Sequence, residues 1–109
     1  MQTEIPPHIQ RSVDRDRRGV SYDGTFSWTV SRIGFALVMA ENALAEDSEW
    51  VADCRAAEDD ENLPHALEAQ GTSQGRLKGL REALKIVAPE CDVEALLIQE
   101  RKEYAEVEA

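Results

Sequence analysis

Residues 26–44, FSWTVSRIGFALVMAENAL, carry the apolar pattern that decides the fold. Steps of four, three, four, three and four residues separate the apolar positions Phe26, Val30, Ile33, Leu37, Ala40 and Leu44. This spacing is typical of one face of an α-helix. Thr25 or Ser27 fits as the N-cap of this helix. The apolar face, which we call the helical seam, continues through Val51 and Cys54. The pattern predicts a helix to about residue 46 and a segment over residues 48–58. Joined, the two form one bent helix of roughly 30 residues.

A shorter pattern at the start of this region favours a β-hairpin instead. Apolar side chains alternate with Ser, Thr, Asp and Gly at Val20, Tyr22, Phe26, Trp28 and Val30. Asp23-Gly24 between them is a favoured hairpin turn. We weigh the longer helical pattern above this one, and a short β-hairpin at residues 19–31 stays open as the alternative.

Two further helices follow a polar break at residues 59–63. Pro64 suits the first turn of a helix, and Pro89 stops it. Its apolar stripe consists of Leu67, Leu77, Leu80, Leu84 and Val87. Asp92 caps a last helix that fades into an acidic end. The sequence therefore predicts an all-α fold, a helical hairpin plus a C-terminal helix, in a single small domain at residues 19–109.

Residues 1–18 read as an extended or weakly helical arm. Pro6 and Pro7 forbid a helix across them, and the following HIQRSVDRDRR is rich in mixed charge. If this part is helical, Arg11, Arg15 and Arg18 share one face.

The net charge of −10 is concentrated in residues 36–70, which hold ten carboxylates against one cation, Arg55. Such a charge argues against binding nucleic acid through its phosphates, which needs clustered Lys and Arg, and against anionic membranes. It is compatible with a basic protein partner, with mimicry of a nucleic acid, or with solubility alone. The candidate partner-facing acids are Glu46, Asp47, Glu49, Glu58, Asp59, Asp60 and Glu61.

Aromatic and glycine positions supply the candidate interface residues. Phe26, Trp28 and Trp50 lie on predicted helical faces; aromatic residues so placed more often belong to a core, but an exposed Trp would be an interface anchor. Gly71, Gly75 and Gly79 recur every four residues and would let another backbone approach closely. The alternative is a loop at residues 71–73 with Ser73 as the next N-cap.

Sequence patterns that would indicate a catalytic or metal-binding site are weak. Glu61, His65 and Glu68 resemble a fragment of a di-metal carboxylate site, but Pro64 leaves Glu61 outside the helix and the second Glu-x-x-His is missing. We predict no catalytic, cofactor-binding or metal-binding residue. Two cysteines and no signal-peptide layout predict reduced thiols in the cytoplasm. The longest apolar run, residues 33–40, is far shorter than the roughly 18 residues of a membrane span.

These features predict a non-enzymatic helical protein that acts by protein–protein contact, as a homo-oligomeric structural or assembly component. The alternative is an acidic inhibitor that imitates nucleic-acid charge, as an anti-CRISPR-like phage protein would, and a metal-binding helical bundle comes third. The stretch QGRLKGLREALKI, residues 74–86, resembles a helix common in small bacteriophage-encoded proteins. That resemblance implies a phage or prophage origin, with localisation in the cytoplasm or a phage particle, and no mechanism.

Overall fold

The computed structural model describes residues 4–108, and within them the chain forms four helices. They are α1 (Pro7–Arg18), α2 (Trp28–Ala56), α3 (Leu63–Val87) and α4 (Val93–Glu108). The predicted all-α class, with a helical hairpin and a C-terminal helix, is confirmed. Of the two predicted states of the arm, residues 7–18 adopt the helix, and residues 4–6 have no regular structure.

The long predicted helix is a single element, because α2 runs unbroken for 29 residues. Ser27 is its N-cap, and its side chain accepts a hydrogen bond from the Val30 amide at 3.3 Å. Phe26 lies before this cap, so its placement within the helical seam was wrong. Instead, Val20 and Phe26 form an isolated antiparallel bridge around the Asp23-Gly24 turn. The β-hairpin alternative is therefore correct for residues 20–26 only. After Ser27 the chain is helical as far as Ala56, as the longer pattern predicts.

The α2–α3 turn explains why the hairpin reverses at residues 57–62. The amides of Glu58 and Asp59 donate to the carbonyls of Arg55 and Cys54 at 3.3 and 2.8 Å, which is the Schellman pattern that ends many helices. Glu58 takes the left-handed conformation with φ 54°. Asp59 then accepts from the Asn62 amide at 3.1 Å, just before α3 begins. Asp59 is thus part of the turn, not only a surface charge.

Helix α3 is continuous through its glycines, so the alternative of a loop at residues 71–73 was wrong and the helical interpretation is correct. The Thr72 hydroxyl donates to the Glu68 carbonyl at 3.0 Å, within the helix. Ser73 is no N-cap, because its hydroxyl donates to Asp47 Oδ2 on α2 at 2.5 Å. The Gln70 amide also reaches Ser48 on α2, at 3.1 Å. Polar bridges of this kind join the two helices where apolar packing is thin.

Helix α2 is the central element, because it packs along both α3 and α4. The main core cluster comprises Val30, Leu37, Ala40, Leu77, Leu84, Ala88 and Leu96. A smaller cluster near the hairpin turn comprises Val51, Cys54 and Ala66. At Gly34, α4 comes so close that a Cβ atom would lie 2.8 Å from Leu96 Cγ and 3.0 Å from Glu100 Cγ. The absence of a side chain at Gly34 permits this helix pair to close.

The helices form a thin, open layer. The molecule measures 70 × 37 × 16 Å, and its shortest dimension is little more than the diameter of one helix, about 10–12 Å. Its radius of gyration is 19.1 Å, whereas a compact chain of this length has about 13 Å. Its accessible surface is 7921 Å², against about 6,100 Å² for a typical monomer of this size. Much apolar surface is consequently left uncovered.

Helix α1 is attached to this layer only near its C-terminal end. Gly19 ends α1 in the left-handed conformation with φ 69°, and a Cβ there would lie 2.5 Å from Val30 Cγ2. Arg17 pairs with Glu90 at 3.2 Å, and the Glu90 amide donates to the Arg17 carbonyl at 2.8 Å. None of the α1 residues is buried.

Candidate interaction surface

Three large apolar side chains follow one face of α2 over its whole length. Trp28, Met39 and Trp50 are 77%, 50% and 41% exposed. They are eleven residues apart, which is close to three helical turns, so they share one face. The first and last Cα atoms are about 33 Å apart along the axis. We call these three residues the α2 stripe. Its aromatic ends have the chemistry of interface anchors.

A shallow apolar groove lies beside the middle of the α2 stripe. Its volume is about 430 Å³, and the small side chains of three alanines leave this space between α2 and α3. The lining residues are Ala36, Met39, Ala40, Ala43, Arg76 and Leu80. A helix laid along α2 could place its own apolar side chains in this groove.

The aromatic candidates divide into two groups. Trp28 and Trp50 are exposed, so they are not core residues and both remain interface candidates. The guanidinium of Arg32 lies over the Trp28 ring, 5.8 Å from its centroid. Phe26, in contrast, is only partly exposed and packs against the main core. The structure therefore removes Phe26 from the candidate surface, because its side chain closes the N-terminal end of the hairpin core.

The glycines of α3 line its outer edge. Gly71, Gly75 and Gly79 are exposed, and a Cβ built on any of them would meet nothing within 4 Å. They face away from α2, whose contacts with α3 run through Leu77 and Leu84 on the opposite side. Among residues 4–108, no helix packs closely against these glycines. Any role for them requires a second molecule.

Gly75→Ala is expected to stabilise the isolated chain. A methyl group has open space there, and alanine favours a helix interior over glycine by about 1 kcal/mol. Thermal unfolding at low protein concentration measures this directly. Gly34→Ala is the matched control, since the same change at a closed contact should destabilise. A lower melting temperature for Gly75→Ala would show that other atoms already pack against Gly75 in solution.

The acidic candidates also divide. Glu46, Glu49, Glu58, Asp60 and Glu61 are exposed, and within residues 4–108 none of them forms an ion pair. Asp47 and Asp59 are partly buried and accept the hydrogen bonds described above. Hydrogen bonds from the Asn62 side chain and amide hold the pKa of Asp59 below its usual value. These two carboxylates are thus accounted for by the fold.

The structure does not assemble a metal or thiol site among the described residues. Glu61 precedes α3, which separates it from His65 and Glu68. Across residues 4–108 no three His, Cys, Asp or Glu side chains are grouped so as to hold a metal ion. Burial raises the pKa of both cysteine thiols, Cys54 and Cys91, which disfavours the reactive thiolate. None of the helices described is long and apolar enough to cross a membrane.

Glu100 on α4 is a notable residue that the sequence pattern did not single out. Its side chain is 1% exposed. Oε1 accepts hydrogen bonds from the hydroxyl of Ser31 and, at 3.3 Å, from the side chain of Gln99, whereas Oε2 has no hydrogen-bond partner in the part of the chain that the structure describes. Its position four residues after the buried Leu96 was the available signal, because that spacing continues the apolar face of α4.

No family model matches the chain, and neither a curated protein nor a solved structure matches it. What the protein does must therefore be inferred from its own surface.

Proposed function

We propose that this protein is not an enzyme and acts by protein–protein contact, as a self-assembling structural component. The observation that carries the proposal is the α2 stripe, in which three large exposed apolar side chains are spread over about 33 Å of one face of a thin helical layer, with the charged Arg32 and Glu46 between them. Exposed apolar patches of this kind mark interaction sites. The occupant we propose for the face is a second copy of the chain.

The surface area supports assembly. The accessible surface of 7921 Å² exceeds that of a typical monomer of this size by about 1,800 Å². A standard interface removes about 800 Å² from each partner. The excess is therefore enough for two contacts per chain. Two tryptophans within one face add the residue type that most often dominates binding energy.

A second candidate function is supported by the tip of the hairpin. Glu58, Asp60 and Glu61 project there without ion pairs in the part of the chain described. An acidic inhibitor that imitates nucleic acid would use such carboxylates against Lys and Arg of its target.

Sedimentation equilibrium over a micromolar concentration series tests the assembly proposal. We expect a dimer or larger species. The double variant Met39→Ser/Trp50→Ser should weaken association by about 30-fold or more, because even one anchor of this kind contributes about 2 kcal/mol or more. Ile98→Ser is the control, since Ile98 is 61% exposed on α4, away from the α2 stripe. A wild-type protein that stays monomeric at every concentration would refute assembly and favour the inhibitor.

A further inference from the structure

Helix α1 is an amphipathic helix whose apolar face is uncovered. Ile9 and Val13, one turn apart, are 45% and 40% exposed, and Ile5 just before the helix is 57% exposed. Arg11, Arg15 and Arg18 lie on the opposite face, where Arg15 stacks over the Tyr22 ring at 5.3 Å. This division into one apolar and one basic face is typical of a helix that packs against a surface.

The described part of its own chain, residues 4–108, does not provide that surface. Helix α1 has 12 residues and buries none of them, and isolated helices of this length are marginal in water. The Gly19 cap and the Arg17–Glu90 pair hold only its C-terminal end. The first two turns, with Ile9 and Val13, gain nothing from the body of the molecule. A partner packed against this face would supply the stabilisation that the first two turns lack.

We propose that α1 is an assembly arm, whose apolar face covers the α2 stripe of a second copy of the chain. This inference rests on the proposed function and specifies its contact. The arm lies in the groove beside Met39 as a helix in a groove, with Ile9 and Val13 against the α2 stripe. Each copy then gives one arm and receives one, which are the two contacts that the excess surface allows.

Charge favours the same pairing. Helix α1 carries four arginines and two aspartates. The exposed side of α2 near Trp50 carries Glu46, Glu49 and Asp53. Opposite charges of this kind speed the encounter of two copies, although three of the arginines lie on the face of α1 that points away from the contact. The overall like charge of two copies opposes this little, because charges more than about 8 Å apart are screened at physiological salt.

The test is sedimentation equilibrium of full-length Ile9→Ala/Val13→Ala. Alanine is the best helix former, so the change removes the apolar contact without weakening α1. We expect association about ten-fold weaker or more. Arg11→Ala/Arg18→Ala is the control, with two truncations on the opposite face. Measured in 0.5 M salt, where charge is screened over about 4 Å, it should stay within about three-fold of wild type.

Failure of the arm and failure of assembly give different results. If wild type associates and Met39→Ser/Trp50→Ser does not, but Ile9→Ala/Val13→Ala associates as wild type does, the arm proposal is overturned and the proposed function stands. If wild type is monomeric throughout, both are overturned. Circular dichroism of each variant checks that its helix content is retained.

Discussion

Gly34→Leu is expected to separate α4 from α2 and to lower the free energy of unfolding by about 1–3 kcal/mol or more. Even the first side-chain carbon would sit 2.8 Å from Leu96 Cγ and 3.0 Å from Glu100 Cγ, closer than real Cβ atoms approach other heavy atoms. Leu96 is fully buried and Glu100 is 1% exposed, so moving either side chain would disturb the contact between α2 and α4. Urea denaturation measures the loss.

The matched control is Gly79→Leu. It introduces the same side chain into a helix, at a glycine with open space around it, and leucine favours helix over glycine. We expect unchanged or higher stability. Equal effects of the two substitutions would mean that the close approach of α2 and α4 does not exist in solution.

Glu100→Gln is expected to raise the free energy of unfolding at neutral pH by about 1–3 kcal/mol, because it removes a buried charge that has no charged partner. In the wild type, no donor among residues 4–108 reaches Oε2 of Glu100 while Glu103 is ionised, and Glu103 lines the same small cavity as Glu100. The amide keeps an oxygen for the Ser31 hydroxyl and supplies an N–H for Glu103. Chemical denaturation at pH 7 tests this, with the exposed Glu82→Gln as control. A loss of stability would contradict it.

Glu100 and Glu103 together make the stability of the wild-type protein depend on pH. A hydrogen bond to Glu100, and the charge of that carboxylate, raise the pKa of Glu103. The folded state therefore holds a proton more tightly than the unfolded state. Stability should fall as pH rises from about 4.3, the usual value for Glu, through the raised pKa. Arg32, which lines the same cavity from α2, limits the effect. Glu100→Gln should flatten this slope.

The sequence predicted the elements that depend on local pattern. Four features could be predicted from the sequence because each acts within a few residues. They are the helical seam from Val30 onward, the N-cap at Ser27, the helix start at Pro64 and the helix end at Pro89. Phe26 was misplaced because it lies four residues before Val30. This fits the helical spacing by coincidence, since the helix begins only after Ser27. The sequence left a loop at residues 71–73 open as an alternative because three glycines disfavour a helix, while the hydrogen bonds from Gln70 and Ser73 to α2 join residues far apart in the sequence.

The candidate surface was only partly predictable for the same reason. Trp28 and Trp50 could be named, but whether they were exposed depended on where α3 and α4 pack around α2. Met39 was missed because it stands between the apolar positions of the seam. The contacts of Glu100 join residues 69 positions apart, which no local pattern reports. Its burial follows from the absence of a side chain at Gly34.

The central place of α2 also orders the folding of the chain. Helices α2 and α3 are joined by a short turn at residues 57–62, so closing the hairpin costs little loop entropy. Helix α4 must instead return to the beginning of α2, as the contact between Ser31 and Glu100 shows. We therefore expect the hairpin to form first and α4 to dock later. A chain emerging from the ribosome would present α1 and the α2 stripe before α4 is complete, and neighbouring nascent chains could begin to pair at that stage.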